Sequence, residues 1–488
     1  MAKSKRRRKA LSYFGMPRDD ETSEDSLQVP APLLRNEPGV VIIVAAGRPR
    51  AEALKGGGEG VAVGRGTPIG VLEDDDRISR KHVELRREKA GWRISDLESR
   101  NGTFVGGKEL ASSGIFPSPA LVRIGRSLLW AVDDVHPFIG EPPSANRLEG
   151  PILGGRMRRV WGEIALASRA GDTLYLRGES GSGKELAARA FHEAHFAARS
   201  AAPFVAVNCA AIPEGLAERL LFGARKGAYS GATADAEGYL QAAHGGTLFL
   251  DEIAELDPLV QAKLLRVLES REVLPLGAAR PRKIEIRICA ASHKSLRDEV
   301  RAGRFREDLY FRLGRPEVLV PPLRDRLDEI PWLVARELAA VDARVSSSVT
   351  LIEACALRAW PGNVRELMQE IRRAIHRAID EGVTVVQPHH LAPEAGRPFG
   401  PRGSTAPEEG AADEPMMTGE GSAPAFATKP ATTWSDEQIT QALADNGGNV
   451  RGTARALGMH RNQLRRWLEK HPGIATDASD SSSPTDDS

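Results

Sequence analysis

The sequence predicts a multidomain chain with three folds: an all-β sandwich, an α/β domain with a helical lid, and a small all-α domain. Residues 39–136 contain short apolar runs separated by glycine-rich turns, a pattern typical of a sandwich. Residues 151–394 alternate apolar runs with helical patterns, which predicts a parallel sheet covered by helices. Residues 434–472 hold short helical patterns around a glycine-rich turn. About three domains is also what the length of 488 residues predicts.

Composition narrows the class of protein. The chain has 67 Lys+Arg and 66 Asp+Glu residues, a net charge of +1, so overall charge neither requires nor forbids a nucleic-acid partner. No apolar run is long enough to span a membrane, and no apolar segment follows the basic N-terminal residues, so neither a membrane span nor a signal peptide is expected. The three cysteines, Cys209, Cys289 and Cys355, lack CxxC spacing, which predicts buried thiols in a cytoplasmic protein.

Three segments are predicted to be disordered, because they are rich in Pro, Gly, Ser or charge and lack apolar periodicity. They are a tail at residues 1–38, a linker at 395–433 and a tail at 473–488. Proline and glycine at residues 137–150 predict a further linker. The first tail contains Thr22, followed by Asp25, and this threonine is a candidate phosphorylated self-ligand.

The predicted sandwich carries three spaced polar blocks: Gly64-Arg65, Ser79-Arg80-Lys81-His82 and the run from Asp96 to Phe104. These blocks resemble those of the forkhead-associated (FHA) domain, a reader of phosphothreonine peptides, over residues 39–136. The alternative is a sandwich that has kept this scaffold and lost its ligand.

The FHA resemblance implies a role for each polar residue. Arg65 and Arg80 would bring charge to a dianionic phosphate, and Ser79 would donate its hydroxyl. Asn101 would hold the peptide backbone, and His82 would brace the loop. The implied partner is a phosphothreonine-containing protein or the chain's own phosphorylated segment.

A glycine-rich loop of the form G-x-x-x-x-G-K predicts a nucleotide triphosphate site. The loop consists of Gly178, Glu179, Ser180, Gly181, Ser182, Gly183 and Lys184. It follows a predicted strand and precedes a predicted helix, so backbone N–H groups and the helix N-terminus can bind phosphate while the lysine reaches the β and γ phosphates. Glu185 stands where the general motif has Ser or Thr, so Mg²⁺ must be held mainly elsewhere.

Two carboxylates end the apolar strand predicted at residues 247–250. Asp251 is placed to hold Mg²⁺, and Glu252 is placed to polarise an attacking water. The predicted cofactors are therefore ATP and Mg²⁺. The alternative is that the two acids only cap a strand. The phosphate loop upstream makes this alternative less favoured.

Together these segments resemble the AAA+ domain of bacterial enhancer-binding proteins, the activators of sigma-54 RNA polymerase, over residues 151–394, with the lid from about 322. The family's sigma-54-contacting GAFTGA loop matches Gly227, Ala228, Tyr229, Ser230, Gly231 and Ala232. The loop departs from the family at two positions, Tyr229 for Phe and Ser230 for Thr, each keeping an aromatic ring or a hydroxyl. These changes bring the engagement of sigma-54 into question.

The AAA+ resemblance also implies roles for single residues. Asn208 matches the switch that holds the catalytic glutamate, and His293 lies at the first sensor, near the γ-phosphate. Arg306 and Arg312 match arginine fingers that reach a neighbouring subunit's nucleotide, which implies a ring, hexameric in this family. Arg365 matches the second sensor in the lid.

The C-terminal segment resembles the Fis-type helix-turn-helix of the same activators. A first helix would place Ile439, Ala442 and Leu443 on one face, and the small core would be formed by Leu457, Leu464, Trp467 and Leu468. The residues that would face the major groove and phosphates are Arg461, Asn462, Arg465 and Arg466. So small a module is expected to bind enhancer DNA as a dimer.

The sequence therefore predicts an ATP-driven, sigma-54-dependent activator with an N-terminal phosphopeptide sensor and a C-terminal enhancer reader. One alternative is a DNA-binding ATPase regulator that does not engage sigma-54, because its loop is altered. Another is a protein in which phosphopeptide binding is primary and the ATPase sets only the state of assembly.

Overall fold

The computed structural model describes residues 36–398 except 57, 68–71, 141–149, 198–200, 214 and 230–232, together with residues 436–445, 453, 464 and 468. The chain divides into two units, with the border between Ser404 and Thr405. The first unit contains the sandwich, the α/β domain and the lid. No helix among the described residues is both long and apolar enough to cross a membrane.

The first domain is the predicted sandwich of antiparallel strands. Its strands are β1 (Gly39–Ala45), β2 (Arg48–Lys55), β3 (Val61–Val63), β4 (Val83–Glu88), β5 (Gly91–Asp96), β6 (Thr103–Val105), β7 (Lys108–Glu109), β8 (Ser113–Phe116), β9 (Ala120–Ile124) and β10 (Ser127–Val132). One sheet has the order β2-β1-β10-β9-β6-β7 and the other β3-β4-β5-β8. Their inner faces meet in a core that includes Ile42, Trp92 and Leu129.

Strands β1 and β10 are buried on both faces. Successive side chains of a strand point to opposite faces, and Val40 and Ile42 enter the core between the two sheets. Val41, Ile43 and Trp130 belong instead to a second core that they share with the lid helices. The outer face of the larger sheet is therefore covered by the lid.

The α/β domain has a parallel five-stranded sheet of order β12-β13-β16-β11-β17. The strands of this domain are β11 (Thr173–Arg177), β12 (Phe204–Asn208), β13 (Thr247–Asp251), β14 (Glu272–Val273), β15 (Arg282–Lys283), β16 (Arg287–Ser292) and β17 (Glu317–Leu319). Its helices are α1 (Gly155–Ala170), α2 (Lys184–Phe196), α3 (Ala217–Phe222), α4 (Tyr239–Ala242), α5 (Pro258–Ser270), α6 (Leu296–Arg301) and α7 (Glu307–Leu313). Strands β14 and β15 form a separate antiparallel pair.

The lid is helical, as predicted, and its helices start a little later than residue 322. It consists of α8 (Ile330–Val341), α9 (Val349–Ala356) and α10 (Asn363–Asp380), with a short parallel pair of β18 (Ser346–Ser347) and β19 (Val385–Val386). Helix α10 buries Leu367, Ile371 and Ile375, which recur at helical spacing and so place one apolar stripe against the sandwich and the other lid helices.

Both predicted linkers begin with residues that are packed. Phe138 is buried and meets Trp130 edge-to-face with ring centroids 5.1 Å apart. Gly396 donates its N–H to Glu366 at 2.8 Å, and its carbonyl accepts from Trp360 N at 3.0 Å. The linker boundaries therefore shift inward, while residues 141–149 and 399–433 lie outside the described residues.

In the second unit the structure describes helix α11 (Asp436–Asp445) and three further residues. Ile439, Leu443 and Leu464 are buried, as the helix-turn-helix pattern predicts, and Leu468 is half-buried. The prediction of buried thiols is confirmed as well, because Cys209, Cys289 and Cys355 are all free and buried.

Candidate functional site

The phosphate loop connects β11 to α2 and lies against the lid. Gly183 caps α2 in the left-handed region with φ 104°, and Gly181 has φ 72°. A side-chain carbon at Gly181 would lie 2.2 Å from the Gly362 carbonyl oxygen. Only glycine therefore permits this loop to lie so close to the turn that begins α10.

Lys184 is almost fully buried at the centre of the site, with 6% of its surface exposed. Its Nζ donates to the Gly178 carbonyl at 3.0 Å and lies 3.3 Å from Glu252 Oε1. The ammonium group therefore connects the phosphate loop to the carboxylates at the end of β13.

Asp251 and Glu252 occupy different electrostatic environments. Burial raises the pKa of Asp251, and Lys184 only partly offsets this effect. Burial also acts to raise the pKa of Glu252, but the hydrogen bond from His293 and the charge of Lys184 outweigh it, so the pKa of Glu252 is lowered. Glu252 is thus held as a carboxylate.

Glu252 Oε2 is bound by donors from the end of β16. His293 Nδ1 lies at 2.7 Å, the His293 backbone N–H at 3.2 Å and Ser292 Oγ at 3.4 Å. This placement follows from the sheet, because Leu250 of β13 pairs with Ala290 of β16 and the two strands are parallel.

Two predicted site residues make other contacts. Asn208 lies beside Asp251 in the sheet, but its Oδ1 accepts from the Ala210 N–H at 3.0 Å. The family resemblance assigns Asn208 to Glu252, whereas the partners of Glu252 among the described side chains are Lys184, Ser292 and His293. Glu185 is exposed and pairs with Arg189 at 2.8 Å, which agrees with a metal held elsewhere.

A cavity of about 420 Å³ joins these groups to the lid. The phosphate loop, Asp251 and Glu252 line one side, Arg365 lines the lid side, and Ile152 and Trp161 add apolar surface. Ser182 Oγ is buried and has no hydrogen-bond partner among the described residues, so a polar atom of the loop is left for a ligand. Loop donors, a lysine and paired carboxylate oxygens fit a triphosphate with a divalent cation.

The sequence did not reveal a set of contacts that ties the lid to the phosphate loop. Arg324 pairs with Glu179 at 2.7 Å, and the buried Asn363 donates to the Ser180 carbonyl at 3.0 Å. Arg326 is also buried and donates to the Ser182 carbonyl at 2.5 Å. Alternating arginines and acids usually indicate a solvated surface. In the local sequence, only the pair Pro321-Pro322 before them indicates a domain boundary.

Arg326 belongs to a buried ionic cluster. It pairs with Glu329 at 3.0 Å, and Glu329 accepts the Gly154 N–H at 2.8 Å. Burial raises the pKa of Glu329 to about 7, although Arg326 acts in the opposite direction. Asp328 accepts the Gly155 N–H at 2.7 Å, so the start of α1 is held by the same cluster.

The predicted arginine fingers do not line the cavity of their own subunit. Arg306 is exposed and pairs with Asp308 at 2.6 Å, and Arg312 donates to the Leu268 carbonyl at 3.1 Å. Phe311 between them is 61% exposed.

The loop at the GAFTGA position is described only in part. Ala224 and Ala236 pair across its base, and Tyr229 OH accepts from Arg219 at 2.7 Å while the ring stays 40% exposed. Gly227 has a left-handed φ of 80° before Ala228. Ser230, Gly231 and Ala232 lie outside the described residues.

The polar residues of the sandwich cluster on neighbouring loops. Arg65, Arg80 and Asn101 are exposed, and Asn101 Nδ2 donates to the Arg77 carbonyl at 2.7 Å. The Ser79 hydroxyl accepts the Arg100 N–H at 3.0 Å, which joins the two loops.

His82 braces these loops from beneath and is fully buried. Its Nδ1 accepts the Ser79 N–H at 3.0 Å, so the proton of the neutral ring is on Nε2, which donates to the Gly102 carbonyl at 3.1 Å. Burial lowers the pKa of His82. The predicted DNA-contacting residues Arg461, Asn462, Arg465 and Arg466 lie outside the described residues.

Three family models match the chain. The FHA domain matches residues 61–127, the Sigma-54 interaction domain matches 154–318, and the bacterial regulatory protein, Fis family, matches 436–471. The three resemblances drawn from the sequence are thereby confirmed, in the same order along the chain.

Similar proteins include regulators of several bacteria. The nitric oxide reductase transcription regulator NorR2 of Cupriavidus necator is 43% identical over 307 residues, 61% of this chain and 58% of that protein. The response regulator protein PilR of Pseudomonas aeruginosa is 37% identical over 344 residues, 69% of this chain and 72% of that protein. A solved structure of NtrX from Brucella abortus in complex with ATP is 27% identical, with a TM-score of 0.44, covering 64% of this chain and 67% of that chain. The chain thus spans less than two thirds of the length of NorR2.

Proposed function

The chain belongs to the family of sigma-54-dependent transcriptional regulators, and on that premise we propose that it uses ATP hydrolysis to activate sigma-54 RNA polymerase. The observation that supports this proposal is the cavity in which the phosphate loop, Lys184, Glu252 and the lid arginine Arg365 meet. Because residues of the phosphate loop and of the lid both line this cavity, a change in the bound nucleotide can change the position of the lid.

The residues of the cavity divide the chemistry among them. Lys184 and the N–H groups of the loop would bind the β and γ phosphates of ATP, and Asp251 would hold Mg²⁺. Mg²⁺ would supply charge stabilisation at the phosphates when bound. Glu252, kept ionised by its neighbours, would accept a proton from the attacking water.

A ring would complete each site. Arg306 and Arg312 are exposed and do not line their own subunit's cavity, which suits a role at a neighbour's nucleotide. Such arginines contribute roughly 10³ to 10⁵ in rate. We therefore propose assembly into a ring, hexameric as the family resemblance implies, in addition to dimers on enhancer DNA through the C-terminal unit.

The loop that begins at Gly227 would contact sigma-54 and move against it during ATP turnover.

A second candidate function, an ATPase regulator that does not engage sigma-54, is favoured by one contact: Tyr229 OH accepts a hydrogen bond from Arg219. A phenylalanine could not make this bond, so the tyrosine ties the loop to its own domain. Tyr229→Phe with Ser230→Thr separates the candidates, because promoter opening that appears only in this double variant supports the second.

The sandwich would supply the signal. Arg65, Ser79 and Asn101 lie on neighbouring loops, and the outer face of the sandwich shares a core with the lid. We propose that a phosphothreonine-containing segment, from another protein or from the chain itself, binds these loops and acts on the ATPase through the lid.

The test of the ATPase proposal compares nucleotide binding with turnover. We expect Lys184→Ala to lose ATP binding, because it removes the buried cation of the loop. We expect Glu252→Gln to bind ATP and fail to hydrolyse it. A Glu252→Gln protein that turns ATP over at the wild-type rate would contradict the proposal.

A further inference from the structure

We propose that the sandwich binds the chain's own N-terminal segment, residues 19–25, once Thr22 carries a phosphate. The receiving surface consists of three short stretches, residues 64–67, 77–82 and 98–102, which we call the peptide loops. This inference rests on the proposed phosphopeptide function of the sandwich and names the occupant of its site. The signal passed to the ATPase would then be the phosphorylation state of the chain itself.

The peptide loops carry exposed positive charge that the fold leaves unpaired. Five cations are exposed: Arg65, Arg77, Arg80, Lys81 and Arg100. In the part of the chain that the structure describes, none of the five forms an ion pair. Two of them are held beside Ser79, because the Arg65 N–H donates to the Ser79 carbonyl at 3.0 Å and the Arg100 N–H donates to the Ser79 hydroxyl at 3.0 Å. Cations without partners are available to an anionic ligand.

Acidic residues near the peptide loops do not cancel this charge. Asp75 and Asp76 both pair with Arg126, at 3.7 Å and 2.8 Å. The exposed acids that remain nearby are Glu73, Asp74 and Glu98. Five unpaired cations against three exposed acids favour an acidic ligand over a basic one.

The Ser79 hydroxyl is able to donate to a phosphate. Its Oγ accepts the Arg100 N–H, and its own proton has no acceptor among the described residues. Asn101 uses an amide proton to bind the Arg77 carbonyl at 2.7 Å, so its carbonyl oxygen can accept an N–H of a bound peptide. The loops therefore offer a hydroxyl and positive charge to a phosphate, and an amide to the peptide around it.

The segment around Thr22 has the charge that this surface requires. Five acids lie within three positions of Thr22: Asp19, Asp20, Glu21, Glu24 and Asp25. Every other threonine outside the described residues has at most two acids within that distance, as Thr485 has. A phosphate adds about −1.5 to −2 charge at neutral pH, so the modified segment would carry a charge of about −7.

The peptide loops lie at the far end of β1 from the point where the chain enters the sandwich. Strand β1 runs from Gly39–Ala45, and Val44 pairs with Leu128, close to the turn between β9 and β10. A side-chain carbon at Gly125 in that turn would lie 3.1 Å from the Arg77 carbonyl carbon. The separation to be bridged is therefore close to the length of β1, about 20 Å.

The chain between Thr22 and the sandwich is long enough to bridge this separation. The structure describes the chain from Asn36, fourteen positions after Thr22. Fourteen residues can span at most about 46 Å, more than twice the length of β1. A ligand tethered at this length reaches an effective concentration of about 1 mM, which favours the chain's own segment over a peptide in solution.

A protein serine/threonine kinase would supply the phosphate, with ATP as the donor. The Thr22 Oγ forms a bond to the γ-phosphorus, the bond from that phosphorus to ADP breaks, and the hydroxyl proton is released. No group is oxidised or reduced. The product is a dianion of the kind that the Ser79 hydroxyl and the surrounding cations can bind.

The first test measures whether the segment fits the loops. A fluorescein-labelled synthetic peptide of residues 16–28 with phosphothreonine at position 22 is titrated with unmodified full-length protein, and fluorescence anisotropy reports binding. We expect binding, a Kd at least about tenfold higher for the peptide without phosphate, and loss of binding in Arg65→Ala. Arg344→Ala, which removes an arginine that pairs with Asp342 outside the sandwich, is the control and should match wild type.

A second peptide tests the contribution of the acids. It keeps the phosphothreonine and replaces the five flanking acids by Asn or Gln. We expect its Kd to be on the order of tenfold higher at low salt, with a difference that shrinks at about 0.5 M salt, because salt screens exposed charges. Equal Kd values for the two phosphorylated peptides at low salt would overturn the choice of this segment.

The next test asks whether the segment occupies the loops of its own chain. Phosphothreonine is incorporated at position 22 of the full-length protein by codon suppression, and the labelled peptide is titrated again. We expect its apparent Kd to rise at least about tenfold, because it competes with a tethered ligand. Protein with phosphothreonine at position 485 is the control and should bind the peptide as unmodified protein does. An unchanged Kd in the protein modified at position 22 would overturn the inference.

A mixing experiment separates the chain's own segment from that of a second copy. Protein that carries both phosphothreonine at position 22 and Arg65→Ala is added to unmodified protein, each at a concentration below the Kd of the peptide. We expect no change in peptide binding. A rise in Kd as large as that caused by phosphorylation within the same chain would show that a second copy is the occupant, which would overturn the inference.

A degenerate phosphothreonine peptide library distinguishes failure of this inference from failure of the proposed function. Unmodified protein that binds the library but not the Thr22 peptide would overturn the inference and leave the phosphopeptide function in place. Protein that binds neither would overturn both.

Discussion

Single residues decide the charge and geometry of both candidate sites. Lys184 and His293 keep Glu252 ionised in the α/β domain, and His82 fixes two loops of the sandwich through both ring nitrogens. His82 acts through hydrogen bonds that protonation of its ring would alter. Its role can therefore be tested by pH as well as by substitution.

The sandwich should lose stability in mild acid because of His82. Burial lowers the pKa of this residue from its ordinary value of 6.5, so the folded state binds its proton less readily than the unfolded state. The neutral ring's contribution is complete above the ordinary value and is lost as pH falls below it. We expect urea unfolding at pH 7.5 and 5.5 to show a larger acid loss for wild type than for His82→Gln. Equal losses would contradict this role.

The sequence predicts some of the functional residues and their contacts, but not others. The order of motifs located Lys184, Asp251 and Glu252, because a phosphate loop and a strand end have local patterns. His293 and Glu252 are 41 positions apart in the sequence, and only the pairing of their strands in the sheet brings them together. Nothing in the local sequence around Asn208 shows that its side chain caps a turn.

The first residue of α10 contacts both the phosphate loop and the segment before α8. Asn363 has φ +53° and is fully buried. Its side chain accepts the Leu323 N–H at 2.8 Å and donates to the Ser180 carbonyl at 3.0 Å. It thereby fixes the lid to the phosphate loop.

Removal of the Asn363 amide should weaken nucleotide binding. We expect Asn363→Ala and Asn363→Gly to raise the Kd for ATP about tenfold each, the equivalent of about one buried hydrogen bond. The glycine variant should have the higher Tm of the two, because glycine accepts a positive φ without strain. Titration calorimetry and thermal unfolding measure both effects, and a wild-type Kd in both variants would show that the contacts of Asn363 do not act on the nucleotide.

The loop between β3 and β4 depends on a close approach at Gly64. A side-chain carbon there would lie 2.4 Å from the Arg80 carbonyl oxygen. We expect Gly64→Ala to displace the Ser79–Arg80 turn and abolish binding of a phosphothreonine peptide. Gly58→Ala, where the added carbon meets no atom of the described residues within 4 Å, serves as the control. Fluorescence anisotropy with a degenerate phosphothreonine peptide library gives the measurement, and equal binding by both variants would contradict the expectation.

Prediction of elements succeeded where apolar runs were long and failed where they were short. The runs in β1, β9 and β10 predicted these strands, whereas β17 has only three residues and joins the sheet edge through pairing with β11. The run Val40–Ala45 is apolar at every position, which indicates a strand that is buried on both faces.

At the scale of the molecule, the sandwich and the lid share one core. Val41, Ile43 and Trp130 pack with lid residues that include Leu333, Leu351 and Ile371. At its edge Arg123 pairs with Glu353 at 2.6 Å, with side-chain exposures of 15% and 6%. A ligand that shifts the sandwich would therefore act on the helices that hold Arg365.

The buried pair between Arg123 and Glu353 should stabilise this interface. Reversing one charge leaves two like charges buried, and breaking such a pair costs about 3 to 5 kcal/mol. We expect Arg123→Glu and Glu353→Arg to lower the free energy of unfolding singly, and the double swap to recover part of the loss. Full recovery is not expected, because Arg123 also stacks on Phe104 at 3.8 Å.

Arg344→Glu is the control, since its pair with Asp342 is exposed on the arginine side and surface pairs contribute about 1 kcal/mol or less. Urea unfolding measures all four variants. An Arg123→Glu variant as stable as the control, or a double swap no better than the single ones, would show that the pair does not hold the interface.

Open-complex formation by purified full-length protein with sigma-54 holoenzyme, on a supercoiled template with an enhancer, tests the central claim most directly. The account predicts opening with ATP, none with a non-hydrolysable analogue, and none with Glu252→Gln. ATP turnover by DNA-bound wild-type protein that never opens the promoter, even with a phosphothreonine ligand bound to the sandwich, would contradict it.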